Sequence, residues 1–148
     1  MSYKLIEILL SRSDHKVWEH ARMEWVLDHI DYLEDGEPMD HCLCEHEIRE
    51  LCFIRNACTG QMAMIGNCCV KQFLPIDTAT IFDGLRRIRR DMNKAPGDGL
   101  VRYASERGIL NEWETKFSTD TRRKRKLSER QRTCRYSINQ KLLKGIGI

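Results

Sequence analysis

Apolar positions recur at helical spacing along most of this chain and at strand spacing in one stretch. Leu5, Ile6, Leu9 and Leu10 share one face of a helix that begins at Ser2. Ser11 and Asp14 stand at capping-box spacing, and Val17, Trp18, Ala21 and Trp25 follow the same period, which predicts a second helix over residues 14–27. From Trp25 onward WVLDHIDYL fits either a continued helix or a strand, and the Glu-Asp-Gly-Glu-Pro segment at 34–38 is a loop. Residues 48–56 (IRELCFIRN) and 61–65 (QMAMI) read as a hairpin closed by Ala57-Cys58-Thr59-Gly60, with Gly60 free to take positive φ. A short helix follows, with Asn67 as its expected N-cap and residues 69–74 as its first turns.

The remainder is helical. Pro75 breaks the short helix and Thr78 is the expected cap of the next, whose buried stripe is Ile81, Leu85 and Ile88. The segment NKAPGDG at 93–99 is a turn-rich linker, and it is no P-loop because no Lys-Ser or Lys-Thr follows its glycines. Residues 98–107 form a helix with Leu100, Tyr103 and Ala104 inward, ended by Gly108. Asn111 and Glu114 make a capping box for a brief helix whose Trp113 and Phe117 are expected in the core. Ser128 and Gln131 make another for a last helix with a Cys134, Ile138, Leu142 stripe and with Arg130, Arg132, Arg135 and Lys141 elsewhere. The expected fold is therefore α+β, a mainly helical single domain over 1–148 around a small zinc-binding, treble-clef-like hairpin unit.

Charge divides this pattern into three parts. Residues 1–40 carry 10 acidic and 4 basic side chains, residues 41–75 three of each, and residues 76–148 carry 9 acidic and 18 basic, so an overall +3 conceals an acidic head and a basic tail. Two groups concentrate the cations: Arg86, Arg87, Arg89 and Arg90, and the run Arg122, Arg123, Lys124, Arg125 and Lys126. Guanidinium forks match phosphate oxygens, and consecutive cations release counterions from several phosphates at once, so both groups are candidate contacts to a DNA or RNA backbone. Such contacts position a protein without reading sequence. The plain alternatives are solvated faces, internal pairing with the acidic head, and a solubilising connector. His15, His20 and His29 read as surface residues. No apolar run approaches the roughly 18 residues that span a membrane, and the N-terminal segment lacks a cleavable signal pattern, which points to a cytoplasmic protein.

The candidate chemistry lies between His41 and Phe73, which hold six of the seven cysteines and two of the five histidines. Cys42-Leu43-Cys44-Glu45-His46 offers three ligands in five residues, and Cys68-Cys69 offers more at the following helix start, where thiolates are favoured by the dipole. An odd cysteine count favours reduced thiols, and Cys42 and Cys44 are too close to bridge comfortably. The expected set is Cys42, Cys44, His46 and Cys69 around one structural zinc, with Cys52 and Cys68 as alternates; buried free thiols are the competing reading.

The segments CLCEHEIRELCFIRN, IGNCCVKQFL, YASERGILNEWETKF, RKRKLSERQ and SINQKLL resemble a family of small proteins of bacteriophages, prophages and plasmids. The resemblance covers most of the chain and implies a treble-clef-like zinc site, a mobile-element origin and a bacterial host cell, but no activity. Glu45 stands where a glycine is expected after the second cysteine. The leading expectation is a zinc-stabilised nucleic-acid-binding or regulatory protein. The alternatives are an interaction protein whose acidic head (Asp28, Asp31, Glu34, Asp35, Glu37, Asp40) engages a host enzyme, and an HNH-type nuclease. The nuclease is disfavoured because no histidine follows His46, which leaves the helix after the hairpin without the histidine ligand that this chemistry needs.

Overall fold

A computed structural model describes residues 2–146. The fold is α+β, and contacts group the chain into two compact units that divide between Ile76 and Asp77.

The first unit opens with α1 (Tyr3–Ser11), capped by the Ser2 hydroxyl on Leu5 N–H, with Leu5 and Leu9 fully buried. The helix expected over 14–27 is not there. Instead a single-turn α2 (Trp18–Ala21) and a 3₁₀ turn (Arg22–Glu24) run into strand β1 (Trp25–Tyr32). Long-range bonds override the local period: β1 pairs antiparallel with β4 (Glu50–Asn56), and the indole Nε1 of Trp25 donates to Ser13 Oγ at 2.9 Å. The pairing slips between Leu27 and His29, so Asp28 is an extra residue in a bulge. That slip carries Trp25, Leu27 and Ile30 onto one face although they do not alternate evenly. On this face they lie opposite Asn56, Ile54 and Cys52 of β4, and Ala63 and Ile65 of β5 (Met62–Gly66) continue the layer. The other face is partly open, with His29 stacked on Phe53 at 4.4 Å.

Between β1 and β4, strands β2 (Asp40–His41) and β3 (Glu47–Ile48) form a separate two-stranded ribbon. The hairpin turn after β4 forms as expected, with Gly60 at φ 76°. Asn56 anchors it: its side-chain oxygen accepts from Cys58 and Thr59 N–H, and its amide donates to Glu24. The short helix α3 (Asn67–Val70) is capped by Gly66 rather than Asn67, whose amide instead donates to Glu50 at 2.9 Å.

The second unit is helical throughout its described residues. α4 (Thr78–Arg90) is capped by Asp77, not Thr78, because Asp77 Oδ1 accepts from Thr80 N–H while Thr78 is fully buried. Ile81, Phe82, Leu85 and Ile88 face inward from it. α5 (Asp98–Glu106) crosses so close that a methyl group on Gly84 would lie 2.3 Å from the Pro96 carbonyl. α6 (Glu112–Thr121) and α7 (Glu129–Gly145) both carry the expected capping boxes, at Asn111/Glu114 and Ser128/Gln131.

Two expectations reverse here. Trp113 is 62% exposed and Phe117 half-buried, so neither sits in the core. Arg135 is buried, donating to the carbonyl and hydroxyl of Thr121 at 2.8 and 3.1 Å, because a three-carbon stem on an inner helix face packs as well as an apolar side chain once its head is satisfied. No helix among the described residues is long and apolar enough to cross a membrane.

Candidate metal centre and basic surface

Three thiols meet at the base of the β2–β3 ribbon. Cys42 leaves β2, the chain turns within four residues, and His46 enters β3; Cys42 N–H donates to His46 O at 2.9 Å and Glu45 N–H to Cys42 O at 2.8 Å. The turn requires positive φ at Glu45 (79°), the only non-glycine residue so placed among those described. A glycine would take this conformation without strain; Glu45 is held in it by the two backbone bonds that close the turn, and its carboxylate pairs with Lys4 of α1. The turn expected from a glycine therefore forms without one.

Cys69, on α3, comes to the same point. The Cys42 thiol donates to Cys69 Sγ and the Cys69 thiol to Cys44 Sγ, each at 3.6 Å, and the three sulfurs lie within 4.8 Å of one another. All seven cysteines are free thiols. Sulfur corners of a tetrahedron with Zn–S bonds of 2.3 Å would be about 3.8 Å apart, close to this spacing. The three cysteines can hold a metal ion.

Their surroundings fit that role. Gly66 N–H donates to Cys42 Sγ at 3.2 Å in a buried position, a bond that strengthens when sulfur becomes thiolate. Burial disfavours ionising Cys44, but bonds from the His46 backbone and ring and from the Cys42 and Cys69 thiols outweigh it and lower its pKa to about 7. Burial foremost, then the neighbouring Cys44 and Cys42, push the Cys69 thiol strongly upward. Three crowded thiols thus resist becoming three thiolates unless a cation sits among them.

Of the expected ligands, His46 meets only one corner: its Nδ1 lies 3.2 Å from Cys44 Sγ, outside the mutually close set. The alternates are elsewhere. Cys52 is fully buried on the core face of β4, opposite Ile30 and Ile65, and Cys68 is exposed. A cavity of about 630 Å³ borders the cluster, and Cys68, His46 and Gln72 line its other parts.

The candidate phosphate contacts are all in the second unit. Arg86, Arg87 and Arg90 line a hollow of about 370 Å³ with Lys94, but Asp83 and Asp91 share it, and Arg86 pairs with Asp83 at 2.5 Å. Arg87 donates to the Ala95 carbonyl, and Arg89 stands outside the hollow, half-buried. The run from Arg122 to Lys126 forms the exposed connection between α6 and α7. Arg122 pairs with Asp98 at 3.4 Å, and Arg123, Lys124, Arg125 and Lys126 make no ion pair among the described residues.

Sequence reasoning missed two features. Glu24, which the helical period gives no reason to single out, is buried and accepts from Asp14 N–H, His15 N–H and the Asn56 amide. The exposed Trp113–Phe117 pair was hidden by its helical spacing, which a core stripe shares, and only the five cations that follow it hinted otherwise. No family model, no curated protein and no solved structure matches the chain.

Proposed function

We propose that this is a zinc-stabilised nucleic-acid-binding protein of a bacterial mobile element, acting in the host cytoplasm. The observation that carries the reading is the loop between α6 and α7, where four consecutive cations stand exposed with no ion pair among the described residues. Like charges held side by side repel, and a fold that leaves them unneutralised gains most from a polyanion, whose condensed counterions they displace. The wider unit supplies a matching field, since residues 77–148 carry 18 basic and 9 acidic side chains.

Zinc would be held by Cys42, Cys44 and Cys69, with His46 as the fourth ligand after a rotation of its side chain about a position already in contact with Cys44. Its role in this reading is structural, tying the ribbon to α3, and the contacts to phosphate confer affinity without sequence selectivity. The mobile-element assignment rests on the resemblance of the CLCEHEIRELCFIRN and IGNCCVKQFL segments to phage, prophage and plasmid proteins.

The test is fluorescence anisotropy of labelled DNA and RNA across a salt series, with wild type and the variant Arg123→Ala/Lys124→Ala/Arg125→Ala/Lys126→Ala. Wild type should bind with a steep salt dependence, and the variant should lower the slope of log K against log salt by about three. Absence of binding to either nucleic acid would sink the proposal. Retention of a single host protein after nuclease treatment and in high salt would instead identify an interaction protein working through the acidic first unit.

A further inference from the structure

The exposed aromatic pair on α6 faces a problem of its own. Trp113 and Phe117 stack with ring centroids 5.6 Å apart and planes 16° from parallel, and Trp113 keeps 62% of its surface in solvent. A tryptophan offers on the order of 200 Å² of contact area, so leaving it out of the core forgoes a large stabilisation. On the same helical line stand Lys116 and Asp120, and together with Lys124 of the following loop and Gln131 of α7 they border a hollow of about 340 Å³ over the rings. The hollow opens directly onto the cation run, of which Lys124 is a member.

Flat aromatic surface flanked by ammonium groups suits one kind of ligand in particular. A base unstacked from its neighbours presents a π-face to the indole while its phosphates reach adjacent cations. Duplex DNA or RNA keeps its bases stacked on each other and offers no such face. Resting on the nucleic-acid reading above, we infer that Trp113 and Phe117, with Lys116 and Lys124, form a stacking platform for an unpaired base, so that the preferred ligand is single-stranded nucleic acid. Gln131, whose side chain closes the α7 capping box, is held in place at the edge of the hollow. Asp120 opposes a phosphate on its own side, which directs the strand toward Lys124 and the cations that follow.

The experiment uses the full-length, zinc-loaded chain with an oligothymidylate of about 15 nucleotides, within the range one small binding surface occupies, and a duplex of equal length. The single strand should bind more tightly than the duplex at matched salt and quench tryptophan fluorescence in wild type but not in Trp113→Phe. Trp113→Ala should weaken single-strand binding by about 5- to 150-fold, the loss expected for one base–aromatic stack, with the salt slope unchanged. Trp113→Phe should restore most of the affinity, which a merely structural role for this exposed side chain would not require. Equal binding of strand and duplex with Trp113→Ala neutral would overturn the inference and leave the nucleic-acid reading standing. No binding of either would overturn both. A wild-type dimer that Trp113→Ala disperses would show the face to be a contact between copies of this chain, and would overturn the inference as well.

Discussion

The packing of α4 on α5 makes a sharp prediction for Gly84→Ala. The added methyl would lie 2.3 Å from the Pro96 carbonyl oxygen and 3.1 and 3.2 Å from Cβ and Cδ2 of Leu100. Carbon–oxygen contacts settle near 3.3 Å even when attractive, so the backbone must move by about 1 Å. That backbone is tied down, since Arg87 donates to the Ala95 carbonyl and the Asn139 amide donates to the Met92 and Lys94 carbonyls. Alanine would gain up to about 1 kcal/mol of helix propensity. Overpacking against a restrained backbone costs about 1–3 kcal/mol, and the restraint here favours the upper half of that range. The net is about 1–2 kcal/mol of destabilisation, which for a unit of this size lowers the melting temperature by about 4–16 °C. Gly36→Ala is the control: nothing lies within 4 Å of its added methyl, so its effect should be near neutral. Thermal unfolding followed by far-ultraviolet circular dichroism reads both. A Gly84→Ala protein as stable as wild type would refute the close approach of the two helices.

Three further outcomes follow from the same structure. Burial disfavours the charged form of Glu24, yet N–H bonds from His15 and Asp14, the His15 ring and the Asn56 amide outweigh it and lower its pKa from 4.5 to about 2. A depressed carboxyl contributes stability that is complete above about 4.5 and lost as pH falls toward 2, so side-chain ¹³C NMR should show Glu24 still ionised at pH 4, and a midpoint near 4.5 would contradict the network. Asn139→Ala should cost about 1–3 kcal/mol in urea unfolding, because the carbonyls of Met92 and Lys94 lose the donor that the buried Asn139 amide supplies; a cost under 0.5 kcal/mol, the usual scale of a surface substitution, would contradict this. Alkylation of the native, zinc-loaded protein should label exposed Cys58 and Cys68 and spare Cys42, Cys44 and Cys69 until a chelator is added, as read by mass spectrometry; equal labelling of these three with and without chelator would exclude a thiolate-bound ion.

What could be read from the sequence was what local chemistry decides. The Asn111/Glu114 and Ser128/Gln131 boxes formed as expected because a side chain and a backbone amide three residues apart need no tertiary help. The hairpin turn at Gly60 followed from spacing of the same short range, whereas Cys69 reaches Cys42 and Cys44 across 27 and 25 residues, because the β4–β5 hairpin leads straight into the helix start that presents Cys69. What escaped was decided at a distance. The strand at Trp25 is created by pairing with β4, and its bulge at Asp28 breaks the alternation by which a strand is recognised. Trp113 and Arg135 exchanged their expected places for a related reason: helical spacing marks which residues share a face, while the neighbouring helices determine which face is covered. Glu45 shows the converse, a residue whose identity argued against a turn that the β2–β3 pairing nevertheless imposes.

The claim on which the account of the first unit depends is that the three converging sulfurs bind an ion. The direct measurement is metal content per chain by elemental analysis, made on wild type and on single Cys→Ser variants under reducing conditions. One zinc per wild-type chain is expected, lost with Cys42, Cys44 or Cys69 and retained with Cys52, Cys58 or Cys134. Well under one zinc per chain in wild type, or occupancy indifferent to Cys69→Ser, would contradict it.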